Sequence, residues 1–220
     1  MLIENFFNIE VLLLSRNLLL SGLSNSLKLI FLIVVLAMSF GLLLAVIRHT
    51  HIAVLDKIII IYVDIIRSMP ILVLLLLIYY ALPFIGIKFP PFWAATLAMS
   101  LNGGAYFAEI FRSGIEAIDR GQTEAARSLG LTYLQTMGSV ILPQAMRIVL
   151  PPLTTNTLEL IKASAVASLV AMADILRQAR QAQSLYLNPS PLIGALIMYL
   201  IILLPLVWLG NYFESRFKEV

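Results

Sequence analysis

Three pairs of oppositely charged residues stand out because the members of each pair are three positions apart. They are Asp64 with Arg67, Glu109 with Arg112, and Glu159 with Lys162. Side chains three residues apart are neighbours on a helix, so each pair can neutralise its own charge. The first two pairs fall near the ends of apolar segments, where a long side chain reaches water easily. For these two we predict local ion pairs without a further role.

The third pair lies deeper in its apolar segment, and a charge in the middle of a membrane helix costs at least about 2.5 kcal/mol. Asn156, Glu159 and Ala163 share one helix face, so a carboxylate and an amide would border a space left by a small side chain. One hypothesis is that this face lines a polar path, in which Glu159 attracts a cationic group of a solute and Lys162 partners a carboxylate. A self-contained ion pair is the alternative, and the sequence leaves both open.

Few other groups offer chemistry. Cysteine is absent, which excludes disulfides, a thiol nucleophile and Cys-based metal sites. His49 and His51 share a connector without an acidic or Cys partner at metal-ligand spacing, so we expect ordinary solvated histidines. No Gly-x-x-x-x-Gly-Lys-Ser/Thr loop is present to hold phosphates, and a net charge of +3 without a dense basic tract argues against nucleic-acid binding. We therefore predict a chain that is not an enzyme and holds no metal or cofactor of its own.

The composition places these residues in a bilayer. Of 220 residues, 60% are hydrophobic and 12% are charged, whereas about 25% are charged in a soluble domain. Since about 20 apolar residues in a helix cross the hydrocarbon core, we predict a single-domain, all-α membrane protein with five transmembrane helices. Their predicted positions are about residues 23–48, 58–82, 92–111, 148–173 and 191–212. The fourth is the weakest by hydropathy, because it contains Glu159 and Lys162.

The first predicted span carries a face of small residues. Ala37, Gly41 and Ala45 are four residues apart, a spacing that lets helix backbones approach closely, so we predict a packing helix. Residues 1–20 are amphipathic and are expected to lie at the membrane interface. The N-terminus has acidic residues where a secretory signal would have basic ones, so we expect mature sequence.

The distribution of Lys and Arg predicts the orientation. Five spans place the following basic residues on one side: Arg48, Lys57, Arg112, Arg120, Arg127, Arg147, Arg216 and Lys218. The opposite side receives fewer: Arg16, Lys28, Lys88, Arg177 and Arg180. Because cytoplasmic loops are enriched in basic residues, we expect the C-terminus in the cytoplasm and the N-terminus outside.

Residues 112–147 form a polar connector between the third and fourth spans, and its middle, about residues 115–135, has clear local signals. Thr123 to Leu129 are good helix formers, and Gly130 is placed to end that helix in a left-handed conformation. Thr132 and Gln135 form a capping box that starts a second helix. Ala125 and Ala126 make a smooth face that suits docking into a protein groove. A solvated hairpin without a partner is the alternative.

The stretch from Glu124 to Pro143, EAARSLGLTYLQTMGSVILP, resembles the EAA signature of ABC importer permeases. It has Glu-Ala-Ala, three residues, Gly, nine residues, an aliphatic residue, one more residue and then Leu-Pro, with Val140 where isoleucine is usual. The flanks GIEAIDRGQTEAARSLGL and DIIRSMPILVLLLLIYYALP resemble the polar amino acid permeases, which include histidine, glutamine and arginine importers. The resemblance extends from about Leu19 to Glu214. Ser68, Met69 and Ala163 depart from the usual pattern, which weakens any inference about the individual amino acid.

The resemblance implies that Glu124 to Gly130 form a coupling helix that sits in a cleft of a separate ATP-binding subunit. It assigns ATPase coupling to the following residues: Gly121, Glu124, Ala125, Ala126, Ser128, Leu129, Gly130, Leu142 and Pro143. It also implies two ATPase subunits carrying ATP and Mg, a second permease subunit, an extracytoplasmic solute-binding protein and a bacterial plasma-membrane location. The expected substrate is a polar amino acid, with cationic amino acids among the candidates. The path of Asn156, Glu159, Lys162 and Ala163 follows from the positions of these residues and not from the resemblance.

Two other functional classes remain open on the residues alone. An ion-coupled secondary transporter would explain charges within the spans, but such proteins usually have internal repeats, and we find none. The second class is a non-transporting membrane scaffold. Asp174, Arg177 and Arg180 lie just beyond the fourth span, where we expect a solvated helix end; contact with the solute-binding protein is the alternative.

Overall fold

The computed structural model describes residues 6–50 and 52–217, with side chains as far as Tyr212. Every regular element in these ranges is a helix. In chain order the α-helices are α1 (Ile9–Arg48), α2 (Ala53–Ser68), α3 (Ile71–Leu76), α4 (Pro91–Glu116), α5 (Arg120–Ser128), α6 (Tyr133–Thr136), α7 (Leu142–Ala163), α8 (Ile175–Tyr186) and α9 (Ser190–Phe217). His51, Lys218 and the side chain of Arg216, which entered the predictions above, lie outside the described residues.

Helix α1 is longer than the span predicted within it. It has 40 residues, or about 60 Å at 1.5 Å per residue, and it begins at Ile9 instead of near Leu23. Residues 9–30 contain no proline and many leucines, which favour a helix. The segment expected at the interface and the first span are therefore one continuous helix.

The predicted second span, residues 58–82, is not one helix. Helix α2 ends at Ser68, and Met69 has an extended backbone with φ −94° and ψ 128°. The cause is Pro70, which lacks an N–H group and disfavours the helical conformation of the residue before it. Beyond Pro70, α3 continues as a π-helical turn (Leu77–Ala81) and a 3-10 turn (Leu82–Ile85). The prediction of a second span over residues 58–82 did not include this break.

The chain divides into two compact units, and α1, α4, α7 and α9 contribute residues to both. The first unit consists of the described parts of Met1–Val34, Pro70–Met99 and Leu158–Trp208. Its core is a cluster of Leu19, Ile175, Ala179 and Ala195. Two hydrogen bonds join α1 to the start of α8 and the residues just before it: Asn25 Nδ2 donates to the Ala173 carbonyl at 3.0 Å, and the Ile175 amide donates to Ser26 Oγ at 3.1 Å.

The second unit consists of the described parts of Val35–Met69, Ser100–Thr157 and Leu209–Val220. Leu44, Ile59, Val63, Ala105 and Ala108 form its core, which joins α1, α2 and α4.

Within this second unit, the predicted small-residue face of α1 packs tightly. Ala37 and Ala45 are buried. A Cβ atom on Gly41 would lie 2.5 Å from Phe107 Cβ and 2.9 Å from the Gly104 carbonyl oxygen. The prediction of a close helix approach through Ala37, Gly41 and Ala45 is confirmed.

Two helices among the described residues are long and apolar enough to cross a membrane, Ile9–Arg48 and Ser190–Tyr212. A third appears if the broken pair Ala53–Ser68 and Ile71–Ile85 counts as one span. Helices α4 and α7 have 26 and 22 residues but are more polar. Helix α7 starts at Leu142, six residues before the predicted fourth span, and gives way to a 3-10 segment, Ser164–Val170. The count of five spans stays a prediction.

Candidate docking site on the polar connector

The first helix of the connector, α5, begins earlier than the sequence indicated. Asp119 is its N-cap, and the carboxylate Oδ1 accepts a hydrogen bond from the Gly121 amide at 2.7 Å. An aspartate at this position satisfies one of the free amides at a helix start and interacts favourably with the helix dipole. A side chain at Gly121 would crowd that cap, because a Cβ would lie 2.7 Å from Asp119 Oδ1. The sequence prediction placed this helix at Thr123 to Leu129. Asp119, a residue type that favours the N-cap position, was the local signal for the earlier start.

Helix α5 ends in a left-handed glycine, as predicted. Gly130 has φ +81°, and its amide donates to the Arg127 carbonyl at 2.9 Å. The Leu131 amide donates to the Ala126 carbonyl at 3.2 Å. These two bonds are those of a Schellman motif, which satisfies carbonyl groups that a helix end leaves free. The chain therefore turns sharply without leaving these backbone groups unpaired.

The second helix start is the predicted capping box. The Gln135 amide donates to Thr132 Oγ1 at 3.3 Å, and the Thr132 amide donates to Gln135 Oε1 at 2.9 Å. Tyr133 follows directly, and its hydroxyl donates to the Val46 carbonyl of α1 at 2.8 Å. The Tyr133 ring also stacks on His49, with ring centroids 6.3 Å apart. His49 is thus half-buried against an aromatic ring and is not the freely solvated histidine that we expected.

The exposed apolar groups of the connector differ from those predicted. Ala126 is only 4% exposed and belongs to the protein interior, so Ala125 and Ala126 do not form a common docking face. Ala125 is exposed, and Leu129 and Leu134 are 82% and 75% exposed. Leu134 carries no local sequence signal for exposure, because its environment depends on how α6 packs.

A cavity of 360 Å³ lies beside α5. One wall is the α5 face that carries Arg120, Thr123, Glu124 and Arg127. The remaining lining residues are His49, Tyr133, Thr136, Met137 and Ile141. Within the described part of the chain, the Thr136 hydroxyl is buried and has no hydrogen-bond partner. Among the described residues, Arg120, Glu124 and Arg127 form no ion pair with one another, so their charges are available to a partner.

Five charged residues form a network at the ends of α1, α2 and α4. Arg48 Nε lies 2.9 Å from Asp56 Oδ1, and Arg48 Nη1 lies 3.7 Å from Glu109 Oε2. Arg112 pairs with both Glu109 and Glu116. The predicted local pair of Glu109 and Arg112 is confirmed, but it belongs to a larger network that unites residues distant in sequence.

The predicted ion pair between Asp64 and Arg67 is wrong: no such contact forms within the described part of the chain. The Arg67 guanidinium carbon lies 5.4 Å from the centroid of the Tyr106 ring. The Tyr106 hydroxyl in turn donates to the Arg67 carbonyl at 3.2 Å. The guanidinium therefore lies beside an aromatic ring 39 residues away instead of the local carboxylate, an arrangement that guanidinium groups favour.

The remaining predicted residues lie on α7 and at its start. Leu142 is half-buried and Pro143 is exposed. Both directly follow the π-helical segment Met137–Ile141, which joins α6 to α7 without a break. Lys162 Nζ lies 2.6 Å from Glu159 Oε1, and these side chains are 52% and 64% exposed. The side-chain amide nitrogen of Asn156 is buried and has no hydrogen-bond partner among the residues that the structure describes, and Ala163 is half-buried. The ion pair forms as its local spacing predicted.

Asp174 does not lie at a solvated helix end. It is 1% exposed, and its Oδ1 atom caps α8 by accepting a hydrogen bond from the Arg177 amide at 2.8 Å. Its Oδ2 atom is buried and accepts no hydrogen bond from any residue in the described ranges. Burial raises the pKa of the Asp174 carboxyl to about 6, although the cap bond and the nearby Arg180 and Arg177 act in the opposite direction. The expectation of solvation holds only for Arg177 and Arg180, which are exposed.

Comparison with known proteins places this arrangement in a family. Residues 37–219 match the family described as "Binding-protein-dependent transport system inner membrane component". A probable amino-acid ABC transporter permease protein, YckA, of Bacillus subtilis (strain 168) is 40% identical over 80% of this chain and 78% of its own length. The arginine transport system permease protein ArtQ of the same organism is 34% identical over 91% of this chain and 92% of its own length.

Solved structures agree with the sequence relatives. A crystal structure of an amino acid ABC transporter with histidines has a TM-score of 0.81 and 40% identity, covering 91% of this chain and 94% of that one. An inward-facing MetNI methionine ABC transporter has a TM-score of 0.72 at 21% identity and covers 92% of this chain and 97% of its own. The second likeness shows a shared fold. The chain belongs to the family of binding-protein-dependent transport system inner membrane components, and its resemblance to ABC importer permeases is thereby confirmed.

Proposed function

We propose that this permease imports polar amino acids and that ATP hydrolysis on a separate subunit drives the import. The names of relatives that are 34–40% identical to this chain over the aligned residues refer to amino acids, arginine and glutamine. Because these names differ, they support a substrate class and not one amino acid. ATP and Mg would be held by the partner, and this chain would hold neither.

The observation that carries the proposal is the rigid connector with two protruding leucines. Capping bonds hold α5, the Gly130 turn and α6 in one conformation, while Leu129 and Leu134 are 82% and 75% exposed. Ordered apolar side chains that protrude from a polar segment are typical of a docking surface. We assign this surface to the cleft of an ATPase subunit, with Glu124 and the arginines of α5 available for its polar contacts.

The exposed pair of Glu159 and Lys162 indicates where the solute passes through the membrane. Both side chains are more than half exposed on this chain, and a charged pair facing lipid would be costly. The pair therefore faces a second permease subunit or an aqueous path. We propose that it lines the path at the permease–permease interface and that Glu159 favours cationic amino acids.

The assembly that follows has two permease subunits, two ATPase subunits and an extracytoplasmic solute-binding protein. Two permease chains are needed because the solute path requires a second wall opposite Glu159. The proposed orientation has the connector in the cytoplasm, since Arg112, Arg120, Arg127 and Arg147 lie in or beside it. The location is the plasma membrane of a bacterium, with five spans.

The test is purification of the tagged chain from native membranes, followed by uptake of labelled arginine, glutamine and cystine into proteoliposomes containing ATP. We expect a copurifying ATP-binding subunit and ATP-dependent uptake. Leu129→Asp should abolish both, whereas Leu187→Asp, at a residue that is 91% exposed on the loop after α8, should leave both intact. Uptake driven by an ion gradient without ATP would favour a secondary transporter, and no uptake by any driving force would favour a scaffold.

A second experiment addresses Glu159. We expect Glu159→Gln to reduce arginine uptake relative to glutamine uptake by at least roughly tenfold, because a charge-assisted bond contributes about 1.5–3 kcal/mol. Glu116→Gln is the matched control, since Glu116 is also an ion-paired, exposed carboxylate. Equal effects on arginine and glutamine would show that Glu159 does not select for charge.

A further inference from the structure

The end of α1 is the place where the connector meets a membrane helix. The last four carbonyl groups of a helix have no partner within it. In α1, the His49 amide donates to the Ala45 carbonyl at 3.1 Å, and the Thr50 amide donates to the Ile47 carbonyl at 3.0 Å. The Val46 carbonyl accepts instead from the Tyr133 hydroxyl at 2.8 Å. A residue of the connector thus completes the C-terminal turn of α1.

The connection between α5 and Tyr133 is short and its backbone is held by hydrogen bonds. Only four residues, 129–132, separate the two helices, and the amides of all four donate hydrogen bonds. The left-handed Gly130 fixes the turn, and the capping box fixes the backbone on which Tyr133 begins α6. A displacement of α5 therefore reaches Tyr133 without being absorbed by a flexible loop.

The other end of the link is tied to further helices. Two residues beyond Val46, Arg48 contacts Asp56 at the start of α2 and approaches Glu109 of α4. His49, one residue further, stacks on the Tyr133 ring. The hydroxyl bond and the ring stack hold Tyr133 against this end of α1 from two directions.

We propose that Tyr133 is a positioning residue that transmits movement of α5 to the C-terminal end of α1. This inference rests on the proposed docking of α5 to an ATPase subunit. It assigns docking and transmission to different residues: Leu129 and Leu134 hold the partner, whereas the Tyr133 hydroxyl passes the movement on. Loss of the hydroxyl should therefore separate ATP hydrolysis from transport without weakening subunit association.

The experiment uses the complete complex in proteoliposomes and compares wild type, Tyr133→Phe and Tyr62→Phe. Tyr62 is the matched control, because its hydroxyl also donates to a helix carbonyl, that of Leu101 at 2.7 Å, away from the connector. Three quantities are measured: the affinity for the ATPase subunit, the rate of ATP hydrolysis, and the number of amino acids transported per ATP.

For Tyr133→Phe we expect unchanged affinity and a roughly two- to tenfold drop in transport per ATP, the range that the loss of one hydrogen bond corresponds to. Tyr62→Phe should leave the ratio unchanged. The proposal is overturned if the ratio is unaltered in Tyr133→Phe, if Tyr62→Phe lowers it equally, or if Tyr133→Phe instead weakens subunit association. A lower melting temperature with an unaltered ratio would also overturn it, since that result assigns Tyr133 a purely structural role. Absence of ATP-driven uptake in the wild type would refute the proposed function itself.

Discussion

Substitution of Gly130 tests whether the shape of the connector, and not merely its composition, determines partner binding. Gly130 has φ +81°, and among the described residues, apart from its two chain neighbours, no atom lies within 4 Å of a Cβ built there. The cost of Gly130→Ala is therefore one of backbone conformation, about 1–2 kcal/mol for a left-handed residue other than glycine. Asparagine tolerates this conformation better, so Gly130→Asn should cost less.

Such a cost weakens the Schellman bonds that orient Leu129 and Leu134. If binding requires the native turn, 1–2 kcal/mol corresponds to roughly a 5- to 30-fold loss of affinity. The assay is titration of the purified permease with its ATPase subunit, accompanied by uptake measurements. Gly138→Ala is the control, because a Cβ at Gly138 also has open space, and this glycine does not have a positive φ.

We expect affinity to fall in the order wild type and Gly138→Ala, then Gly130→Asn, then Gly130→Ala. Wild-type affinity for Gly130→Ala would refute the argument that a left-handed turn is required. An equal loss for Gly138→Ala would attribute the effect to contact with the partner and not to backbone conformation.

Two further predictions concern stability. Gly41→Ala should overpack the helix contact and lower the melting temperature in detergent, at a cost of about 1–3 kcal/mol. The new Cβ would lie 2.5 Å from Phe107 Cβ and 2.8 Å from the Ala108 nitrogen. An unchanged melting temperature would contradict the close approach of the helices. Burial raises the pKa of Asp174 from 3.8 to about 6, so the folded state binds the proton more tightly than the unfolded state. The free energy of unfolding therefore falls as the pH rises from about 4 to above 6, by at most about 3 kcal/mol. Asp174→Asn keeps an N-cap acceptor and should remove this pH dependence. If the melting temperatures of the wild type and of Asp174→Asn change equally between pH 4 and 8, the buried carboxylate is not the cause.

Features that depend on neighbouring residues were predictable from the sequence, and features that depend on distant ones were not. The Gly130 turn, the Thr132 capping box and the Glu159–Lys162 pair involve residues within a few positions of each other. The burial of Ala126 and Asp174 depends on packing against segments far along the chain, for which one sequence gives no local signal. Arg67 is an example, because its guanidinium group lies beside the distant Tyr106 ring and not beside the nearby Asp64 carboxylate. The break at Pro70 is different, because its signal was local and was overlooked.

The second unit explains how a small link at the end of α1 can act on more than one helix. Leu44, Ile59, Val63, Ala105 and Ala108 pack α1, α2 and α4 together, and the network around Arg48 joins the ends of the same three helices. Close-packed apolar contacts resist sliding, because separation would open a cavity. The ion pairs add directional contacts where the helices reach water. A displacement of the Val46 carbonyl would therefore move segments of α1, α2 and α4 together. For this reason, a single hydrogen bond from Tyr133 can act on all three helices without a large contact area.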